Sequence, residues 1–129
     1  MSVGSVRLGF VGCGYMGQVA HLPNFLALAG CEVVVLAEAR PRLRELVARR
    51  YGIARTADSH LALAESKDLD AVVAIMPEGL HERVVSDLLS AGKWVMTEKP
   101  MTVSVEAAQR MLAAAADGAQ HMVGYMKRY

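Results

Sequence analysis

The stretch LGFVGCGYMGQ, residues 8–18, places Gly12, Gly14 and Gly17 at spacings of two and three, directly after a run of strand-forming residues. Two explanations fit such a cluster: a tight turn that needs flexible residues, or a loop whose backbone must come close to a phosphate. Glycine-rich turns are common, so the G-x-G-x-x-G pattern alone does not separate the two explanations. The sequence on either side of the glycines has to decide between them.

Predicted strands and helices alternate along the whole chain. Short apolar runs rich in Val predict strands, and apolar residues at helical spacing predict helices. The predicted strands are residues 6–11, 32–37, 54–56, 70–76, a fifth within 94–100 that runs into a loop, and 120–125. The predicted helices are residues 16–30, 41–52, a short one after Asp58, 80–92 and 104–118. Pro23 should break or kink the first helix. This alternation predicts an α/β fold, a Rossmann-type doubly wound parallel sheet of about six strands with helices on both faces.

The context of the glycines favours a dinucleotide site over a purely structural turn. They follow a predicted strand, open a predicted helix, and precede a second strand whose end carries Glu38, 21 residues beyond Gly17. In such a site the first glycine makes the turn, the second lets the backbone approach the pyrophosphate, and the third allows close packing of helix on strand. The helix N-terminus supplies free N–H groups and a partial positive charge. The predicted cofactor-binding residues of this loop are Gly12, Gly14, Tyr15, Met16 and Gly17.

Glu38 and Arg40 bear on the choice of cofactor. A carboxylate at the end of the second strand can accept hydrogen bonds from both hydroxyls of the adenosine ribose and would repel a 2′-phosphate, which favours NAD. Arg40 lies two residues further on and could instead pair with that phosphate. NADP therefore stays open as the alternative.

The composition argues against several other classes of protein. The 129 residues are enough for one domain with a core, and 53% of them are hydrophobic. Fourteen basic and thirteen acidic residues nearly cancel, so no overall field recruits nucleic acid or an anionic membrane. The arginines at positions 40, 42, 44, 49 and 50 are interpreted as a solvated helix face.

The cysteines and the apolar runs bear on location. Cys13 and Cys31 are the only cysteines, and no signal-peptide pattern is present, so the sequence predicts neither a disulfide framework nor a metal site, and favours a reducing cytoplasm. No apolar run reaches the ~20 residues that a membrane-spanning helix needs. We expect a soluble protein.

Several motifs together carry a family resemblance. They are GFVGCGYMG, the acidic strand end at Glu38, MPEGLH ending in His81, VMTEKP with Lys99, and VGYMKRY near the end of the chain. In this order, and over nearly the whole chain, they resemble the N-terminal domain of the glucose-fructose oxidoreductase, inositol dehydrogenase and rhizopine-catabolism superfamily. The resemblance implies an NAD(P)-dependent oxidoreductase that transfers a hydride between nicotinamide and a secondary alcohol or carbonyl, for instance of a sugar or cyclitol.

The resemblance also implies roles for individual residues. Lys99 would lie beside the nicotinamide and the substrate hydroxyl as the catalytic group, and Glu98 would support cofactor binding. Pro77 and His81 match a loop that passes the nicotinamide, although Met76 and Glu78 replace the family's Thr and Asn there. A purely structural role for His81 stays open, because it adjoins an apolar helical stripe. We assign no chemistry to the other histidines, which are His21, His60 and His121.

The family pattern is longer than this chain. Family members continue into a second domain that supplies most of the substrate pocket and the oligomer surface. We therefore expect residues 1–129 to be the dinucleotide-binding domain without that second domain, either as a fragment or as a stand-alone module. A non-catalytic dinucleotide-binding or sensing module is the competing function, and an S-adenosylmethionine-binding domain is a weaker third one. The expected partners are the dinucleotide, a small-molecule substrate in a full-length parent, and a second copy in a homo-oligomer.

Overall fold

The computed structural model describes residues 4–128 and contains a six-stranded sheet. Its strands are β1 (Val6–Val11), β2 (Cys31–Ala37), β3 (Arg55–Ala57), β4 (Ala71–Ala74), β5 (Trp94–Thr97) and β6 (His121–Val123). The strand order is β3-β2-β1-β4-β5-β6, and every neighbouring pair is parallel. This order is that of a doubly wound dinucleotide-binding sheet. The predicted fold class is confirmed.

The helices connect the strands in the predicted places. They are α1 (Leu22–Ala27), which continues a π-helical segment (Gly17–His21), then α2 (Pro41–Tyr51), α3 (His60–Glu65), α4 (His81–Ser90) and α5 (Val105–Ala114). Short 3₁₀ turns cover Glu78–Leu80 and Met126–Arg128. Ser104 caps α5 as expected, since its hydroxyl accepts a hydrogen bond from the amide of Ala107 at 3.1 Å.

The helix continues through Pro23, which lies in the first turn of α1. A proline has no N–H to donate to the carbonyl four residues before it, so an interruption of the α-helical ladder is expected there. The interruption takes the form of the π-helical segment just before the proline, in which the amide of Leu22 donates to the carbonyl of Gly17. Such wide turns are often found at functional sites.

Both faces of the sheet are covered by apolar packing. One buried cluster joins the sheet to α3, α4 and α5 through residues such as Leu63, Leu88 and Met111. The other joins it to α1 and α2 through Leu22 and Val47. Strands buried on both sides explain why their sequences are continuously apolar rather than alternating.

The six strands end in one row. Val11 pairs with Ala37 and Ala74, and the row extends outward through Ala57 on one side and through Thr97 and Val123 on the other. The predicted fourth and sixth strands, 70–76 and 120–125, are therefore too long at their ends, and the fifth strand runs into a loop within 94–100 as predicted. The residues beyond the row leave the sheet as loops, and all of these loops emerge at its carboxyl edge.

Among residues 4–128, no helix combines the length and the apolar character needed to cross a membrane.

Candidate functional site

A cleft of about 1350 Å³ lies at the carboxyl edge of the sheet. Its walls are the loops that follow β1, β2, β4, β5 and β6, together with the start of the first helix. Clefts at this edge of a doubly wound sheet are where such folds bind ligands. The predicted site residues that line it are Gly12, Gly14, Tyr15, Met16, Gly17, Glu38, Arg40, Pro77, Glu98 and Lys99.

The three glycines of the loop are required for different reasons. Gly12 has a φ of +81°, and a Cβ there would lie 2.1 Å from the carbonyl oxygen of Ile75. At Gly17 a Cβ would lie 3.1 Å from the carbonyl oxygen of Gly12, so close packing of helix on loop depends on its absence. At Gly14 a Cβ would meet no other part of the described chain within 4 Å. Packing of the protein therefore explains Gly12 and Gly17 but leaves the space in front of Gly14 for a ligand.

The helix that follows the loop presents its N-terminal end to this space. Helical backbone begins at Tyr15, and the amide of Gln18 donates to the carbonyl of Gly14 at 3.0 Å. The amides of the first helical turn have no acceptor within the helix and carry a partial positive charge. The Gln18 side chain also donates to the carbonyl of Cys13 at 2.8 Å, which holds the loop in place. The cleft therefore fits the pyrophosphate of a dinucleotide here.

Glu38 lies at the end of β2 and is only 7% exposed. Its carboxylate accepts hydrogen bonds from the amide of Cys13 at 3.1 Å, from the amide of Arg40 at 3.1 Å, and from the Arg40 guanidinium at 2.8 and 3.0 Å. Burial by itself would raise the pKa of Glu38, but the hydrogen bonds from Arg40 and Cys13 outweigh it and lower the pKa to about 2. Glu38 is therefore a carboxylate at neutral pH.

The contact between Glu38 and Arg40 limits what this part of the cleft can offer to a ligand. Both Glu38 oxygens already accept bonds from the protein, and a carboxylate has about four lone-pair positions in all. For Glu38 to accept both ribose hydroxyls, the Arg40 guanidinium must release at least part of its hold. The Arg40 side chain is 65% exposed, and Arg44 donates to the backbone carbonyl of Glu38 nearby. A hydrogen-bond acceptor and a cation thus lie at one point of the cleft.

Glu98 and Lys99 lie together on the loop after β5. The Glu98 carboxylate lies 2.6 Å from Nε2 of His21 and accepts a hydrogen bond from the amide of Lys99 at 3.1 Å. Burial by itself would raise the pKa of Glu98, and the bonds from His21 and Lys99 outweigh it and lower the pKa. Lys99 lines the main cleft and also a smaller adjoining pocket of about 270 Å³ with Tyr125 and Lys127. An ammonium group is therefore available at this end of the cleft.

The structure does not bring His81 into the cleft. It is the first residue of α4, and its ring is fully buried behind the cleft wall. Nδ1 lies 3.0 Å from the carbonyl oxygen of Pro100 and 3.1 Å from that of Met101, and Nε2 lies 3.2 Å from that of Met76. The ring nitrogens face backbone carbonyls of the two loops that carry Pro77 and Lys99. The resemblance implied contact between His81 and a bound cofactor. In the structure His81 contacts the backbone of the two loops instead.

His21 is the cleft residue that sequence reasoning missed. It ends the π-helical segment, lines the cleft, and its side chain is 16% exposed beside Glu98. Its position four residues after Gly17 places it one helical turn beyond the glycine loop. That spacing was the only signal in the sequence, because its partner lies 77 residues away.

Other cleft residues were also not predicted. His60 pairs with Asp87 at 2.8 Å at the side of the cleft formed by the start of α3. Five methionines give the cleft an apolar lining, and they are Met16, Met76, Met96, Met122 and Met126. Across residues 4–128, no three side chains of His, Cys, Asp or Glu are grouped so that they could hold a metal ion.

The lowered pKa of Glu38 predicts how stability depends on pH. A carboxyl group whose pKa is about 2 in the folded protein and 4.5 otherwise stabilises the fold fully above the higher value and loses that contribution as pH falls through the lower one. In Glu38→Gln the contribution is absent. The difference in unfolding free energy between the parent and Glu38→Gln should therefore shrink by about 3 kcal/mol between pH 6 and pH 2, measured by urea denaturation.

Arg40→Gln is the matched control for that measurement. It removes the guanidinium donors and raises the pKa of Glu38 toward its ordinary value, so the pH dependence of its own stability should be weaker than that of the parent. A parent and a Glu38→Gln variant with parallel pH profiles would contradict the assignment.

Comparison with known proteins identifies the family of this chain. Residues 6–125 match the family model described as "Oxidoreductase family, NAD-binding Rossmann fold". The chain is 33% identical over 127 residues to an inositol 2-dehydrogenase of Rhizobium meliloti, an alignment that covers 97% of this chain and 37% of that protein. The chain therefore spans a little over a third of the length of this relative.

Solved structures show the same fold. A 3-ketoreductase from Actinomadura kijaniata, in complex with TDP-benzene and NADP, is 31% identical, with a TM-score of 0.86 over 95% of this chain and 39% of that one. An apo scyllo-inositol dehydrogenase from Lactobacillus casei has a TM-score of 0.90 at 23% identity, which shows the likeness of fold. The chain thus belongs to the glucose-fructose oxidoreductase, inositol dehydrogenase and rhizopine-catabolism family, and residues 6–125 are its NAD-binding Rossmann fold.

Proposed function

We propose that the cleft binds NAD(H) or NADP(H) and that the protein transfers a hydride between the nicotinamide and a secondary alcohol or carbonyl of a sugar or cyclitol. The observation that carries this proposal is the open space in front of Gly14, at a helix N-terminus, in a cleft that also contains Lys99. The related proteins are named as an inositol dehydrogenase and a 3-ketoreductase, which supports a substrate with a polyhydroxylated ring.

We assign parts of the cofactor to parts of the cleft. The pyrophosphate is held by the glycine loop and by the amides of the first helical turn. The adenosine ribose lies at Glu38 and Arg40, and the nicotinamide end lies toward Pro77, Glu98 and Lys99. The space between the two ends is lined by methionine side chains, whose flexible thioethers adapt to the shape of a ligand.

Lys99 supplies the protein's part of the chemistry. A nicotinamide held at this end of the cleft would supply the hydride chemistry. An alcohol oxidised there would also release its hydroxyl proton to water, and in the reverse direction the carbonyl oxygen would gain negative charge and take a proton from water. An ammonium group beside this oxygen stabilises that charge, and more strongly where water is excluded. The role of Lys99 is thus to orient and polarise the substrate oxygen.

This domain and protein outside it have different tasks in the proposed function. Because the chain spans 37% of its inositol 2-dehydrogenase relative, we assign cofactor binding to this domain and the completion of the substrate pocket to protein outside it, either further chain or a second copy. A cytoplasmic location is part of the proposal and is supported by Cys13 and Cys31, which are both free thiols.

Gly14→Val tests the cofactor site. A Cβ at Gly14 meets no other part of the described chain within 4 Å, so the fold should persist, but the valine would occupy the space of the pyrophosphate. We expect NADH binding, followed by calorimetric titration, to weaken at least about 100-fold, since the charged hydrogen bonds of the phosphates are lost.

Gly79→Val is the matched control. A Cβ at Gly79 also meets nothing within 4 Å, and Gly79 does not line the cleft, so this variant should bind NADH like the parent. If Gly14→Val binds as tightly as Gly79→Val, the pyrophosphate does not lie at the glycine loop.

Glu38→Ala tests the ribose end. The change removes both the acceptor for ribose hydroxyls and the repulsion of a 2′-phosphate, and it frees Arg40 from its partner. We expect NADH to lose about 1–3 kcal/mol of binding free energy while NADPH gains, so that a preference for NADH narrows or reverses. Arg40→Ala should have the opposite effect on the ratio of the two dissociation constants. A parent that already prefers NADPH would refute the assignment of Glu38 as the deciding group.

Lys99→Met tests the catalytic role. The methionine keeps the length of the side chain but removes the ammonium, so NADH should bind within about twofold of the parent, because the cofactor's charged groups lie at the other end. In the intact protein, turnover should fall by about 10²–10³-fold, as expected when one charged group is lost from the transition state. An unchanged turnover would favour a different catalytic group.

A further inference from the structure

The segment that carries Lys99 is held on its N-terminal side by Glu98. Oε2 of Glu98 accepts the amide hydrogen of Lys99, and Oε1 of the same carboxylate lies 2.6 Å from His21 Nε2. The side chains of His21 and Glu98 are only 16% and 22% exposed, so this pair is screened from water. The backbone at Lys99 is thereby connected to the helix that starts at the glycine loop.

The same segment is anchored on the side that follows it. His81 is fully buried, and its Nδ1 faces the carbonyl oxygens of Pro100 and Met101 while its Nε2 faces that of Met76. The ring therefore joins the loop after β5 to the loop after β4. The amide of Met101 also donates to the Tyr125 hydroxyl at 3.0 Å, which adds a tie to the chain after β6.

These contacts explain how a flexible side chain can be aimed. A lysine side chain has four rotatable bonds, so the position of its ammonium group is fixed only when its backbone is held and its surroundings restrict those bonds. Neither histidine has another evident task. His81 cannot reach the cleft, and the second ring nitrogen of His21 has no hydrogen-bond partner among those described.

We propose that His21 and His81 are positioning residues that hold the Lys99 segment from both sides, His21 through Glu98 and His81 through the carbonyls of Pro100 and Met101. This inference rests on the proposed function of Lys99, since an anchored segment serves catalysis only if Lys99 acts on the substrate. The anchoring itself is a property of this chain and can be measured without turnover.

The test uses the four lysines of the chain, Lys67, Lys93, Lys99 and Lys127. Labelling with ¹⁵N-lysine gives one backbone amide resonance for each, and Lys99→Met identifies the resonance of Lys99 by its disappearance. In His21→Leu the Glu98 carboxylate loses its partner, so we expect the Lys99 amide resonance to move and its hydrogen exchange to accelerate about tenfold. The resonances of Lys67 and Lys93 should stay in place.

Two further variants separate positioning from a general loss of stability. His21→Gln keeps a side-chain N–H donor and should restore most of the parent resonance position and exchange rate. His60→Leu removes the other histidine–carboxylate pair of the cleft, His60 with Asp87, and should leave the Lys99 amide unchanged. His81→Leu should disturb the same amide from the other side, and an unmoved amide there would overturn the His81 half. If His81→Leu does not fold, His81→Gln takes its place: its side chain can reach only one of the two loops, so the Lys99 amide should still move, and an unmoved amide would overturn the same half.

The outcomes are distinct. An unmoved Lys99 amide in His21→Leu, a change of equal size in His60→Leu, or no rescue by His21→Gln would overturn the proposal. NADH titration of the parent is run in parallel. If the parent binds no NADH while the Lys99 amide responds as expected, the anchoring stands and the proposed function fails. If the parent binds NADH while the Lys99 amide does not respond, the proposed function stands and the anchoring fails.

Discussion

The common row in which the strands end is the constraint on which the rest of the structure depends. Parallel strands joined by helical crossovers all point their carboxyl ends to one edge, and here the pairing of Val11 with Ala37 and Ala74 brings those ends into register. Residues that are far apart in sequence therefore leave the sheet side by side. Shifting one strand by a residue would turn its side chains to the other face and remove its loop from the cleft.

At this edge the backbone and the side chains meet different physical demands. A Cβ at Gly12 would collide with the carbonyl of Ile75, and one at Gly17 would crowd the carbonyl of Gly12, whereas Gly14 faces open space. Glu38 is held as a carboxylate in a buried position by amide and guanidinium donors, which offset the cost of removing its charge from water. The amide of Cys13 donates to Glu38, so the glycine loop and the end of β2 are bonded to each other.

The other end of the cleft is built from longer-range contacts. Glu98 bridges the Lys99 backbone and His21, and His81 bridges the loops after β4 and β5. Buried hydrogen-bonded groups of this kind favour a single arrangement, because each lost bond leaves a polar group unpaired away from water. The end of the cleft that carries Lys99 is thus connected to the helix that follows the glycine loop.

The sequence by itself determined the fold class, the glycine loop, Glu38 at the end of β2 and the loop with Lys99. These features follow from local signals: apolar runs, helical spacing and short motifs whose residues are close in the chain. The predicted ends of β4 and β6 are too late, because where a strand ends depends on its neighbours in the sheet and not on its own apolar run. Three features were seen only in the folded chain: His21 contacts Glu98, His81 is buried behind the cleft, and the Glu38 carboxylate accepts hydrogen bonds from Arg40. Two of these contacts join residues 77 and 19 positions apart, and no spacing along the chain reports which side chains the folding of a sheet will bring within hydrogen-bond distance.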